Sequence, residues 1–157
     1  MRVRDVMDRR PIRIGLQDTL GTAAELFVLT QASDLAVIDG DDRFLGVLSE
    51  GDVLRALMPD FAGLDEAEVT LEHAYEIFRT SGADRVGDPI NRITIRESIT
   101  VAPDEELLRP AAVMVDQQIR RLPVVDDGRL VGTISRADIC WALLSRVPGG
   151  ATGLADA

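Results

Sequence analysis

The chain has 157 residues, of which 46% are hydrophobic and only 4% aromatic, so its core must be aliphatic. Its 17 basic and 27 acidic residues give a formal net charge of −10, which disfavours bulk-charge binding to nucleic acid or anionic lipid. Every base except His73 is arginine and the one cysteine is Cys140, which excludes lysine chemistry, an intrachain disulfide, a cysteine zinc cluster and a multi-histidine metal site. The start, Met1-Arg2-Val3-Arg4-Asp5, carries no apolar signal core, and no run approaches the ~18 apolar residues of a membrane helix. A soluble, cytoplasmic protein with neither nucleic acid nor membrane as partner is expected.

In chain order, a short strand is predicted over 12–14. Leu20, Ala23, Ala24 and Phe27 then fall at helical spacing on one face. Two β-branched runs, 35–38 and 44–48, flank an Asp/Gly-rich turn and predict a hairpin, followed by a helix over 51–57. Pro59 and Gly63 mark a loop. Leu71, Ala74, Tyr75 and Phe78 mark an inserted amphipathic helix, with Glu66, Glu68, Glu72 and Glu76 largely opposite, and Ser81-Gly82 is expected to end it. The order then restarts: a strand over 99–101, a helical face of Leu107, Pro110, Ala111 and Met114, a hairpin of 122–125 and 129–134 around Asp126-Asp127-Gly128, and a helix over 137–144. Pro110 is expected to delay or kink its helix, because proline lacks the backbone donor. The tail, with Pro148-Gly149-Gly150, is expected to be flexible.

The chain is thus written twice. Leu35-Ala-Val-Ile-Asp39 recurs 87 positions on as Leu122-Pro-Val-Val-Asp126, and Gly46-Val-Leu-Ser49-Glu-Gly-Asp52 recurs 86 positions on as Gly132-Thr-Ile-Ser135-Arg-Ala-Asp138. The 87-residue offset also aligns Ile12 with Ile99, Leu20 with Leu107 and Gln31 with Gln118, while Val3-Arg-Asp5 matches Val86-Gly-Asp88 with a small insertion after it. The expected layout is repeat 1 over 1–58, a helical insertion over 59–84, repeat 2 over 85–146 and a tail over 147–157.

A β-α-β-β-α unit present twice, carrying LPVVDD and GxxSxxD, resembles a tandem pair of CBS domains, a Bateman module. The resemblance implies an α/β (α+β) fold of two repeats packed about a pseudo-twofold axis. It also implies pairing into homodimers, and clefts between the units that bind AMP, ADP or ATP, S-adenosylmethionine or NAD as regulatory ligands. Such modules are sensors rather than enzymes and need no cofactor.

The motif also has a reading of its own. Gly46 and Gly132 mark places where backbone must pass close to something. Ser49 and Ser135 open helices whose free N–H groups suit an anion. Asp52 and Asp138 can accept two ribose hydroxyls. Ser-x-x-Asp ahead of an apolar helical run is equally a capping box, and one serine can serve both roles. Ile99, Val101, Leu122 and Val124 are the expected walls for adenine in the second copy, and Thr100, Pro123, Arg13, Ile14 and Leu35 are further expected ligand-binding residues. Arg120, Arg121 and Arg136 suit phosphate, whereas Ser33-Asp34 and Glu50 occupy the matched positions of the first copy. The second pocket is therefore expected to hold phosphate better, with Arg9, Arg10 and Arg13 as further sources of positive charge. His73 reads as a surface residue, Cys140 and Trp141 as core or dimer contacts, and Asp39–Asp42 and Asp126-Asp127 as turn residues rather than metal ligands. The expected function is a regulatory adenosine-ligand module acting in trans on an effector protein. Its rivals are a ligand-free interaction module and a nucleotide-processing enzyme.

Overall fold

The computed structural model describes residues 1–59 and 70–145, so the loop residue Gly63, the acids Glu66 and Glu68, and the 147–157 tail lie outside the described residues. The chain is mixed α/β and divides into two compact units that cut across the sequence repeats. Unit 1 gathers Met1–Pro11, Asp42–Phe44 and the chain from Ser98 on, and unit 2 gathers Ile12–Asp41 and Leu45–Glu97. Each unit is most of one repeat completed by the opening stretch of the other repeat.

Unit 2 holds β1 (Arg13–Gly15), α1 (Leu20–Thr30), β2 (Asp34–Ile38), most of β3 (Phe44–Ser49), α2 (Glu50–Leu57) and α3 (Leu71–Arg85). Its sheet runs β1-β2-β3, with β1 parallel to β2 and Ile14 opposite Val37. Ile14, Leu20, Phe27, Leu35, Val37, Leu48, Val53 and Ile90 form its core. Each such side chain contributes about 1.5–3 kcal/mol by leaving water. Thr19 caps α1 by accepting the Thr22 N–H, and Gln31 closes it in the left-handed conformation at φ 54°.

Contrary to expectation, α3 runs through Ser81-Gly82 to Arg85. Tertiary bonds hold its last turn: Ser81 Oγ donates to the Leu57 carbonyl (3.2 Å) and Arg85 Nη1 to the Ala56 carbonyl (2.6 Å). These bonds also satisfy carbonyls at the end of α2, where intrahelical partners run out. Leu71 and Tyr75, two of the four residues that marked this helix, are exposed.

Unit 1 holds α4 (Leu108–Asp116), the antiparallel pair β4 (Arg121–Asp126) and β5 (Arg129–Ser135), and α5 (Arg136–Ser145). Asp127 and Gly128 join the strands with φ of 46° and 75°. Positive φ at both positions gives the turn whose twist matches a two-residue hairpin, which explains the Asp-Gly dipeptide. Pro110 delays its helix as expected. The α4 helix starts at Leu108, one residue later than the match to Leu20 requires, so the proline falls in the first turn, where its missing donor costs nothing. The strand expected over 99–101 shrinks to a single bridge at Val101, whose N–H donates to the Pro123 carbonyl (3.1 Å) while its carbonyl accepts from Val125 (2.9 Å). The Ala102 N–H then turns away to the Glu105 carboxylate (2.8 Å), which ends the pairing.

The borrowed stretches close each unit in the same way. In unit 1, Asp8 and Thr133 exchange both backbone hydrogen bonds (2.8 and 2.9 Å), and in unit 2, Ile95 and Val47 do so (2.9 and 3.0 Å). The motif glycines lie directly beneath these clasps. A Cβ on Gly132 would stand 2.6 Å from the Asp8 carbonyl oxygen, and one on Gly46 would collide with the Ile95 carbonyl. This is the close backbone approach that the two glycines imply.

Candidate ligand-binding site

The register of β4 and β5 places Arg121 opposite Ser135, and the Arg136 N–H donates to the Arg120 carbonyl (3.0 Å). Arg120, Arg121, Ser135, Arg136 and Asp138 therefore meet at one end of the hairpin, where α5 begins. Val101 bridges Val124 in the same unit, which brings Thr100 and Pro123 to that sheet. In unit 2 the Glu50 N–H donates to the Ser33 carbonyl (3.1 Å), the same junction built from the first repeat. Arg13, Ile14 and Leu35 belong to β1 and β2 there, with Arg13 opposite Ala36.

Both Ser–Asp pairs are capping boxes. Asp138 Oδ2 accepts from the Ser135 N–H (2.7 Å) and hydroxyl (2.6 Å), and the Asp138 N–H returns a bond to Ser135 Oγ (3.2 Å). Asp52 Oδ2 takes the same bonds from Ser49 (3.2 and 2.6 Å), with a 3.1 Å return. The pairs part company at the second carboxylate oxygen. Asp52 Oδ1 accepts from Arg55 Nη1 at 3.0 Å. At the position matched to Arg55 the second repeat has Trp141, and among the described residues nothing engages Asp138 Oδ1. This difference was readable at the 86-residue offset, one turn beyond each Asp, but a spacing search for Ser-x-x-Asp stops short of it.

The arginines divide by role. Arg136 is exposed but commits two donors to backbone: Nη2 donates to the Met114 carbonyl (2.6 Å) and Nε to the Ile119 carbonyl (2.8 Å), so it closes the C-terminal end of α4. A cation there also complements the helix dipole. Arg120 and Arg121 have no side-chain partner among the described residues. Arg9 Nη2 donates to the Arg4 carbonyl (3.3 Å) in unit 1, and Arg13 has interactions of its own in the fold.

Most of the expected adenine-wall and ligand-binding residues lie in the two cores. Val101, Leu122 and Val124 belong to the core of unit 1, as Ile14 and Leu35 do in unit 2, and β2 and β4 each bury three successive residues. Pro123 is buried as well, whereas Ile99 and Thr100 retain exposure. Cys140 and Trp141 are exposed and not core, Trp141 by 52%. His73 is exposed on α3. Nearby on that helix, the Arg79 guanidinium hydrogen-bonds Glu76 and holds its carboxyl below the usual carboxylate range.

A family model, the CBS domain, matches this chain over residues 3–59 and again over 86–145. The chain belongs to the CBS-domain family and carries the domain twice in tandem. Among curated proteins it is 28% identical over 155 residues to the uncharacterized protein MJ1426 of Methanocaldococcus jannaschii, covering 92% of each chain. It is 33% identical over 137 residues to hypoxic response protein 1 of Mycobacterium tuberculosis, covering 87% of this chain and 80% of that one. Two longer relatives from M. jannaschii match over only 40% and 31% of their length. Among solved structures, CBSX2 of Arabidopsis thaliana in complex with AMP superposes with a TM-score of 0.70 at 24% identity, covering 92% of this chain and 96% of that one. No helix among the described residues is long and apolar enough to cross a membrane.

Proposed function

We propose that this CBS pair is a regulatory module that binds an adenosine-type ligand (AMP, ADP or ATP) at the β4–β5–α5 junction of unit 1 and signals its occupancy in trans to an effector protein, without catalysing a reaction. The observation that carries this reading is the uncommitted Asp138 Oδ1 at the junction that also holds the unpaired Arg120 and Arg121. A carboxylate oxygen accepts ribose hydroxyls, and arginine forks hold phosphate. The AMP complex of CBSX2 supports the ligand class. S-adenosylmethionine and NAD share the adenosine part and are the alternatives within it.

A thermal-shift screen of the whole chain against AMP, ADP, ATP, S-adenosylmethionine, NAD and GTP tests the proposal. Ligand at a hundred times its Kd adds about 2.7 kcal/mol, or roughly 5–10 °C in melting temperature for a chain of this size. A flat response to every adenosine compound overturns it in favour of a ligand-free interaction module. Catalytic turnover of ATP would establish an enzyme instead.

The module is further proposed to act as a homodimer through its exposed helix ends. Leu54 on α2 of unit 2 and, separately, Trp141, Leu143 and Leu144 on α5 of unit 1 are all more than half exposed, apolar residues on each unit suited to isologous contact. Light scattering should give twice the 17.1 kDa chain mass, and a monomer at micromolar concentration refutes the contact.

A further inference from the structure

Unit 2 contains a crevice of about 370 Å³ beside the C-terminal end of α2, the end opposite Ser49 and Asp52. Leu20, Pro89 and Ile93 supply its apolar surface, and Arg85, Asp88 and Arg92 its charge. The volume falls within the ~300–1,000 Å³ of ordinary small-molecule sites.

The arginines of this crevice differ from those of unit 1 in their pairing. There the borrowed stretch also carries arginines, but both Arg2 (3.5 Å) and Arg4 (2.6 Å) are ion-paired with Asp104. The residue 87 positions before Asp104 is Gln17, so unit 2 lacks that acid. Arg85 instead donates one Nη to the Ala56 carbonyl and keeps its other donors. Arg92 lies in the inserted part of the second borrowed stretch, between Asp88 and the Ile95 clasp, and it has no partner among the described residues. Two arginines and one aspartate leave this crevice net positive on a chain of net charge −10.

We propose that this crevice is a second ligand site, independent of the adenosine reading, that takes a small organic carboxylate with an apolar body. The planar fork of Arg92 matches a carboxylate, with Arg85 alongside. Hydrocarbon covers Leu20, Pro89 and Ile93. The Asp88 carboxylate in the same wall opposes a dianion, so a monoanion is selected over phosphate.

Sodium hexanoate titrated into the ¹⁵N-labelled whole chain tests this by NMR, with hexanamide and inorganic phosphate as parallel arms. Hexanoate should shift the Arg92 Nε–Hε signal and the Ile93 and Leu20 amides saturably, while hexanamide and phosphate bind at least about tenfold more weakly. Arg92→Gln should weaken hexanoate about tenfold, the loss of one charged hydrogen bond. Its well-dispersed spectrum would confirm the fold, since Arg92 is exposed. Arg109→Gln, at a surface arginine already paired with Glu105, should leave the affinity unchanged. No saturable shift, equal binding of hexanamide, tighter binding of phosphate, or unchanged affinity in Arg92→Gln would each overturn the proposal.

Discussion

Units 1 and 2 solve one problem with one device and then diverge in what they leave free. Each closes its sheet with the opening stretch of the other repeat, seats that stretch on a glycine, and starts the helix after its last strand with a Ser–Asp capping box. In unit 2 the aspartate's outer oxygen is taken by Arg55, and acids or neutral residues stand at the matched phosphate positions. In unit 1 Trp141 leaves that oxygen open, and Arg120 and Arg121 flank the junction. Shared geometry therefore marks what folding requires, and the departures from it mark where binding can differ.

The shared part should be the most costly to break. Gly132→Ala places a methyl group 2.6 Å from the Asp8 carbonyl oxygen, and Gly46→Ala drives one into the Ile95 carbonyl. Backbone cannot yield as a flexible side chain would. Each change should destabilise the chain by about 1–3 kcal/mol, the usual range for overpacking. Gly46→Ala should be the worse of the two, since its φ of 156° also disfavours a side chain. Chemical denaturation reads both values. Wild-type stability in either variant would show that the clasp is not part of the folded state in solution.

The divergent part should separate the two repeats in binding. Asp138→Asn should weaken ATP by roughly 10- to 150-fold, corresponding to a charged hydrogen bond of ~1.5–3 kcal/mol, and Asp52→Asn by clearly less. If both aspartates serve only as caps, each variant should cost ~1 kcal/mol or less of stability and leave affinity intact. Calorimetry and thermal melting on both variants distinguish these outcomes.

Arg136→Ala tests the reassignment of a residue expected to touch phosphate. Loss of its bonds to the Met114 and Ile119 carbonyls should cost about 1.5–3 kcal/mol in stability, attenuated by water reaching the exposed side of the guanidinium. ATP affinity should move little. A large affinity loss with unchanged stability would restore the phosphate role.

How much could be read beforehand follows the physics of each feature. The repeat, the hairpins and the helical faces are periodic signals in single residues, and the matched Gln31 and Gln118 both adopt left-handed φ, of 54° and 55°. The Asp-Gly turn and the Ser–Asp caps are local chemistry, legible at short range. The exchange of flanking stretches between units was not legible, because Asp8 bonds to Thr133 across 125 positions and no local pattern encodes that pairing. The end of α3 failed for the same reason: Ser81-Gly82 is a local stop signal, but bonds to Ala56 and Leu57 outweigh it. The burial of β2 and β4 on both faces was not legible either, because a short apolar run reads the same whether one face or both are covered. The bonds of Arg136 to the Met114 and Ile119 carbonyls were not legible, because an arginine near a serine and an aspartate has the same sequence appearance whether it faces a ligand or two carbonyls.

The smallest expected effect on stability probes the comparison most finely. Arg55 is the residue that separates the two capping boxes. Its side chain is 77% exposed, and its ion pair with Asp52 lies at i,i+3 on the surface of α2. Such pairs contribute about 0.2–1 kcal/mol, so Arg55→Ala should barely shift the melting curve. Its effect on binding should be of the opposite kind. Removing the guanidinium returns Asp52 Oδ1 to the uncommitted condition of Asp138 Oδ1, and a first-repeat site that competes with Arg55 for that oxygen should then bind adenosine more tightly. The phosphate-positive residues remain absent there, so the gain should be larger for adenosine than for ATP. Two-site calorimetry on Arg55→Ala, with Asp138→Asn in the same chain to silence the second repeat, reads the first repeat alone. A weaker or unchanged adenosine isotherm would show that Arg55 is not what closes the first repeat, and the difference between the units would then rest on the arginines at 120 and 121 alone.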